Sequence, residues 1–494
     1  MNKLSFTQKV GIFIVSTSVL VIGLLLGLFF QIREFYSTAE YYSRANKLEE
    51  LNARIKKNPN DAASYAKRGK LRYYDEAYDK ALNDYDDAIL LDPKNAEWYQ
   101  ERAKIWSRKD DHKKAIADLT KSIELKPNED SLFARGEEYR ETHEPLKALA
   151  DFDRALELGY KPRVQALVEK AGVFKDNGDI DKAIDVYNVA VKEKFEPFTS
   201  DDAFEELSKL KIAKGDFAGA MSVLDQFVQK APDDDDAYER RAVLHTALAQ
   251  NDQASDDYKS VAKCITHDIA EYDPQKDGYY FQRRGEAWKK AGKEKEAVAD
   301  FKKALELYKN ASERNDRSIA ELFELLGDKS AASKVRLEQI KVFTVKISKD
   351  PEDADLFHDR AGLYDDNGSL EAAYKDYSQA LKLDPKSSDY KGHVAQALLE
   401  KKQYDAATVL LRELLKDDLK VSSSWCNLAE ILGLAGHQDE ALDAANKAIA
   451  LDATNASAYY FKHKVLKSKG DEKAARICYQ QAIALGYEED ADTQ

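Results

Sequence analysis

An alanine in the same local setting returns about every 34 residues along most of this chain, and that period restricts the fold more than any other feature. It stands at Ala81, Ala115, Ala148, Ala183, Ala220, Ala254, Ala297, Ala332, Ala373, Ala407, Ala441 and Ala475, at spacings of 34, 33, 35, 37, 34, 43, 35, 41, 34, 34 and 34. Such spacings are too regular for coincidence and too short for separate domains, so they mark twelve copies of one supersecondary unit. A pair of helices this size cannot bury its own apolar face and must lean on the next pair, so stacking builds a continuous core.

Other marks keep the same register. Twelve residues before the alanine, where two helices cross and no bulky side chain fits, stand Gly69, Ala103, Gly136, Ala171, Ser208, Ala242, Gly285, Ala320, Ala361, Ala395 and Ala429, and only His463 departs. Four residues after it, one turn along the same helix face, come Tyr85, Leu119, Phe152, Tyr187, Leu224, Tyr258, Phe301, Tyr377, Leu411 and Tyr479. Pro93, Pro127, Pro232 and Pro385 end second helices, and glycines such as Gly178, Gly215 and Gly292 mark the turn between the two helices of a unit.

In these marks the chain resembles the tetratricopeptide repeat family, from Ala62 to Tyr487. The resemblance implies an all-α, right-handed α-solenoid of about twelve helix-turn-helix repeats, whose first helices line a concave groove that accepts an extended peptide or a helix of another protein. One sub-type of the family clamps the acidic tails of chaperones with Lys, Arg and Asn. The matching places here hold Ala66 and Lys70, Gln100 and Lys104, then Phe133 and Glu137, which do not supply that set.

Two units depart from the pattern. Nine extra residues around Thr266 to Gly278 predict a longer loop or an extended second helix. The eighth unit has Arg336 and Gln339 where the large and small packing residues belong, so it is degenerate and its second helix is expected to run long. Before the first unit, Ile32, Phe35, Ala39, Tyr42, Ala45, Leu48, Leu51 and Ile55 recur at three and four, predicting a helix up to Asn58-Pro59 that seals the first face of the stack.

Val10 to Phe30 forms a run of 21 residues without a charge, about 31 Å long as a helix against a hydrocarbon core of ~30 Å. It is too long for the apolar core of a signal peptide and lacks a small-residue cleavage site, which favours an uncleaved transmembrane signal anchor. Lys3 and Lys9 precede the run, whereas Glu34 offsets Arg33 after it, so the N-terminus is expected in the cytoplasm and the repeats in the periplasm, the cell exterior or a lumen. Gly23 and Gly27 make a small-xxx-small pair suited to a weak homodimer in the bilayer. The expected order is a cytoplasmic N-terminus over 1–9, the anchor over 10–30, the capping helix over 31–59, the solenoid over 60–487 and an acidic tail over 488–494.

Nothing in the sequence assembles a catalytic or metal site. The eight histidines make no HExxH or Cys/His cluster, and Cys264, Cys426 and Cys478 lie too far apart for a CxxC pair. Gly327-Asp328-Lys329-Ser330 lacks the earlier glycine of a phosphate-binding loop. No enzyme, cofactor or metal is expected. A net charge of −14 argues against nucleic acid as a partner. More than half of that charge, −8, falls between Pro197 and Lys276, and its acids cluster as Asp201, Asp202 and Glu205, then Asp233, Asp234, Asp235, Asp236 and Glu239. Caps at helix N-termini explain some of them. Four consecutive aspartates exceed one cap, so a docking patch for a basic segment of a protein or peptide is expected. A scaffold that assembles a complex at the membrane and a chaperone for transient clients both fit.

Overall fold

The computed structural model describes residues 44–197, 199–271, 278–311, 315–417 and 421–488. The apolar run over 10–30, with Gly23 and Gly27, lies outside them. Among the described residues no helix is long and apolar enough to cross a membrane. Every regular element among them is a helix: one over 44–57, then twelve pairs, from Ala62–Tyr74 with Tyr78–Leu91 to Ala456–Ser468 with Glu472–Ala484. The chain divides after Val173 into two compact bodies. The first holds the helix over 44–57, three complete pairs and the start of the helix Arg163–Asp176, and the second holds the remainder.

The repeat alanines are the innermost residues. Ala81, Ala115, Ala148, Ala183, Ala220, Ala297, Ala332, Ala407 and Ala441 are wholly buried, and the large residue one turn on packs beside them. The crossing residue must be small for a measurable reason: a Cβ on Gly136 would come within 2.7 Å of the Phe152 ring, and one on Gly285 within 2.6 Å of Phe301. In several units a side-chain cap opens the helix, as where Asn95 accepts from Glu97 N and Asp111 from Lys114 N. The turn within a unit needs one left-handed residue. Gly178 and Gly292 supply it at no steric cost, whereas Glu76, Asp110, His143, Ala249 and Lys402 adopt the same conformation with a side chain.

A buried ion pair recurs in this frame. An arginine one place before the crossing residue meets an aspartate three places after the repeat alanine, as Arg68–Asp84, Arg102–Asp118, Arg135–Asp151, Arg241–Asp257, Arg284–Asp300 and Arg360–Asp376, all at 2.6–2.7 Å. The guanidinium also reaches back to the preceding second helix: Arg102 donates to Asp86 and Arg241 to Asp225. Arg68 donates to Asn52, so the helix over 44–57, with Leu51 and Ile55 buried, stands where a preceding second helix would. Four units place apolar residues at the same two positions, namely Leu207/Val223, Ile319/Val335, Val394/Leu410 and Leu428/Ala444.

The irregular units resolve simply. The insertion of the sixth unit lengthens its second helix to Asn251–Glu271, and the second helix of the eighth runs over Lys329–Lys349. There Arg336 and Gln339 bond to Glu324 and Asp316 on the first helix of their own unit. In the second body the chain also returns on itself. The final helix, Glu472–Ala484, packs against the first helices of the fifth and sixth units, Thr199–Ala213 and Asp235–Ala247, a contact that no repeat pattern announces.

Removing one member of a buried ion pair should cost more than removing both, because the survivor is left charged and unpaired. Asp118→Ala is expected to destabilise by about 2–4 kcal/mol, a little under the fully buried range because Arg102 is partly exposed. The double change Arg102→Leu with Asp118→Val, which copies the fifth unit, should recover most of that loss in thermal unfolding of the full chain. A double variant no more stable than the single would show that the charges are indispensable to the packing.

Candidate functional site

The two acidic clusters seen in the sequence fall on adjacent first helices of the second body. Asp201, Asp202 and Glu205 lie on Thr199–Ala213, while Asp233 and Asp234 lead into Asp235–Ala247, which carries Asp235, Asp236 and Glu239. Their roles differ. Asp234 is the N-cap and accepts from Ala237 N at 2.8 Å. Arg283, from the next first helix, Gly278–Lys290, sits 2.8 Å from Asp235, 3.1 Å from Asp236 and 3.2 Å from Glu239. Arg240 bridges to Glu205 at 2.6 Å, which ties the two clusters together. Asp202 and Asp233 stay exposed. Reversing Asp234, Asp235 and Glu239 together would therefore remove a cap and the partners of a cation as well as surface charge.

Acidity extends well beyond these clusters. A glutamate follows the crossing residue at Glu286, Glu321 and Glu430, and Asp365 and Glu400 lie one turn or so further along their first helices. The carboxyl groups feel one another from helix to helix. Burial raises Glu286, and Glu239 and Glu321 on the flanking units push it further. Glu400 is pushed up to about 7 by burial, then by Asp365, to which it is hydrogen bonded, and by Glu430. Asp235 rises to about 6, again chiefly through burial. The first helices of the fifth to eleventh units thus carry one acidic face, on which burial first and nearby carboxylates second raise Glu286, Glu400 and Asp235. In the first body Glu137 behaves likewise and is pushed up to about 7 by burial and the neighbouring Glu169. The signal for this face was present in the sequence as an acid one place past the crossing residue, and it escaped notice because a third of the chain is charged.

The structure also joins two histidines that are 35 residues apart. His358 Nε2 lies 3.3 Å from His393 Nδ1 beside an open cleft of about 860 Å³, whose lining includes Asp316, Arg317, Phe343 and Asp366. Burial, then the second imidazole, lowers the pKa of His358. Among the described residues no group of three His, Cys, Asp or Glu is arranged to hold a metal. Burial pushes the thiols of Cys264 and Cys426 up to about 11 and about 12, the opposite of what a nucleophile needs. Gly327 and Asp328 form the interhelical turn, in which Asp328 caps Ala331 N at 2.9 Å, and Lys329 and Ser330 open the next helix. His143 also occupies such a turn, and His112 bonds Glu138 at 2.8 Å.

Models of the tetratricopeptide repeat match residues 66–130, 133–196, 366–425 and 422–455. No curated protein matches the chain. Among solved structures it is similar to YrrB, described as a tetratricopeptide repeat protein with an unusual peptide-binding site, at 23% identity over 37% of this chain and 94% of that one, TM-score 0.32. A tetratricopeptide repeat protein of Parabacteroides merdae aligns at 20% identity over 60% of this chain and 96% of that one, TM-score 0.33. Yeast Tom70 aligns at 17% identity over 83% and 96%, TM-score 0.27.

The raised carboxyl groups make a pH prediction. Glu400 has a folded pKa above its unfolded value, so its protonated form belongs to the fold, and stability is lost as pH rises from about 4.5 through about 7. Glu400→Gln keeps a donor for Asp365 and removes the titrating group. The variant is expected to gain about 1 kcal/mol over wild type at pH 8, a value discounted for solvent screening, and nothing at pH 4. Thermal melts at the two pH values check this, and an equal effect at both would remove the charge explanation.

Proposed function

Because the chain belongs to the tetratricopeptide repeat family, we propose that it is a protein-binding scaffold whose acidic first-helix face takes a basic segment of a partner. The observation that carries this reading is the continuity of acids on successive first helices of the second body, from Asp202 to Glu430. Carboxyl groups that burial and, after it, neighbouring acids keep partly protonated gain from an arriving cation twice, by direct attraction and by relief of mutual repulsion. Cation binding lowers their pKa, so association releases protons and tightens as pH rises from 6 to 8. Arg283 and Arg240 limit the charge without cancelling it, and they fix the carboxylates in place. A scaffold of this kind supplies shape and charge rather than a reaction.

The apolar run Val10–Phe30 supports a membrane-bound version of the same function. In this reading, supported by its length and the basic residues before it, the N-terminus lies in the cytoplasm and the acidic face in the periplasm, the exterior or a lumen, where it gathers partners at the membrane surface.

A pull-down from detergent-solubilised membranes is expected to return a stoichiometric partner with a Lys/Arg-rich segment. Replacing the exposed Asp202 and Asp233 with Lys avoids the cap and the Arg283 contacts, and should slow association about tenfold at low salt and much less at high salt. Binding that ignores both the substitutions and the salt would remove the basic-segment reading. A protease added outside intact spheroplasts should digest the repeats, and protection there would reverse the topology.

A further inference from the structure

The return of the last helix on the fifth and sixth units has the features of ligand recognition. At the end of helix Thr199–Ala213 the carbonyls of Lys211 and Ile212 accept from Asp216 N and Gly215 N of its own turn at 2.8 Å, whereas that of Ala213 takes its partners from the far end of the second body. Gln481, almost wholly buried, donates its side-chain amide to Ala213 O at 2.7 Å and reaches Ile212 O at 3.3 Å, across 268 residues of chain. Tyr459 Oη donates to the same Ala213 O at 3.2 Å. Ala484 joins Ile212, Leu224 and Leu244 in one apolar cluster, with Ile483 and Leu485 against it. Beyond the helix end, Glu488 meets Lys290 at 3.0 Å. An amide, a small apolar residue and a carboxylate are each matched by a complementary group on another part of the second body.

We propose that the ends of helices Thr199–Ala213 and Asp235–Ala247, with Lys290, form a receptor surface for the C-terminal end of an apolar helix, held in cis by the chain's own last helix and opened to a partner helix of the same chemistry. The last helix of a stacked array ordinarily turns a polar face to water, whereas this one buries Ala484 and Gln481 against a distant unit. Letting go parts the last pair, through Tyr459 as well as Gln481, from the fifth and sixth units, and it breaks no contact within any helix pair, so the units stay folded. The docked segment also leaves space. A cavity of about 230 Å³ beside it is lined by Lys209, Asp236, Arg240 and Lys290, and a partner bearing polar groups past its helix end fills more of it than Glu488 does. The partner is therefore a helix ending in the pattern that Gln481, Ala484, Leu485 and Glu488 present, and it binds by displacing them.

The test uses the full chain with Gln481→Ala and Ala484→Glu, which alters the occupant and leaves the receptor intact. Hydrogen exchange should accelerate at residues 210–216, 244–250 and 483–488 and stay unchanged in the helix pairs away from this contact. A labelled peptide of wild-type sequence spanning residues 470–488 should bind this variant at least roughly tenfold more tightly than wild type, whose surface is occupied. Adding Lys290→Glu should weaken the peptide about threefold, and a Glu488→Lys peptide should recover that loss. Unchanged exchange, or accelerated exchange without gain in peptide binding, would overturn the proposal, as would a charge swap that fails to rescue. None of these readouts involves a basic ligand, so they stand apart from the fate of the acidic-face reading.

Discussion

Six arginines hold successive helices in register. Each guanidinium grips a buried aspartate of its own unit, and most also touch a polar side chain of the helix before it, so a single residue fixes both the pair and its stacking. Charge-assisted bonds of this geometry are directional where apolar contacts are not. Their net contribution to stability is modest, because two charges must leave water to make them. The four units that substitute Leu, Ile, Val or Ala at both places show the same exchange made within one chain. Polar pins and apolar packing are alternative solutions to the same crossing, and the fourth unit, with Lys170 opposite Val186, keeps its cation paired by reaching back to Asp153 of the preceding second helix.

With the stack fixed by its interior, the first-helix face is free to carry charge that does not serve folding. Burial first, and carboxylates on neighbouring units after it, disfavour the charged form, and the raised pKa of Glu400 records both costs. The cost is borne where Arg283 and Arg240 supply partial compensation and where Asp365 shares a proton with Glu400. Under the proposed function, such a face responds strongly to an added cation, and electrostatic mismatch in the free protein becomes a source of affinity for a basic segment.

The ends of a stack pose a separate problem, since each terminal unit has one apolar face and no neighbour. At the N-terminal end the helix over 44–57 covers it, pinned through Asn52 to Arg68. At the other end the last helix finds cover within the second body itself, where its Gln481 donates to Ala213 O beside Tyr459.

Sequence alone determined the unit: its length, the two helices, the alanine at the centre, the small residue at the crossing and the long second helix of the eighth unit. All of these depend on residues within one unit or the next, so a period of 34 residues contains them. Only the tertiary structure decided which acids meet Arg283, that His358 and His393 adjoin, that carboxyl groups spaced a unit apart crowd into one face, and that Gln481 reaches Ala213. The physical reason is that these contacts join different units through the small rotation each adds to the last. That rotation arises from side-chain packing at every crossing, and its sum over eight pairs is written in no single stretch of the chain.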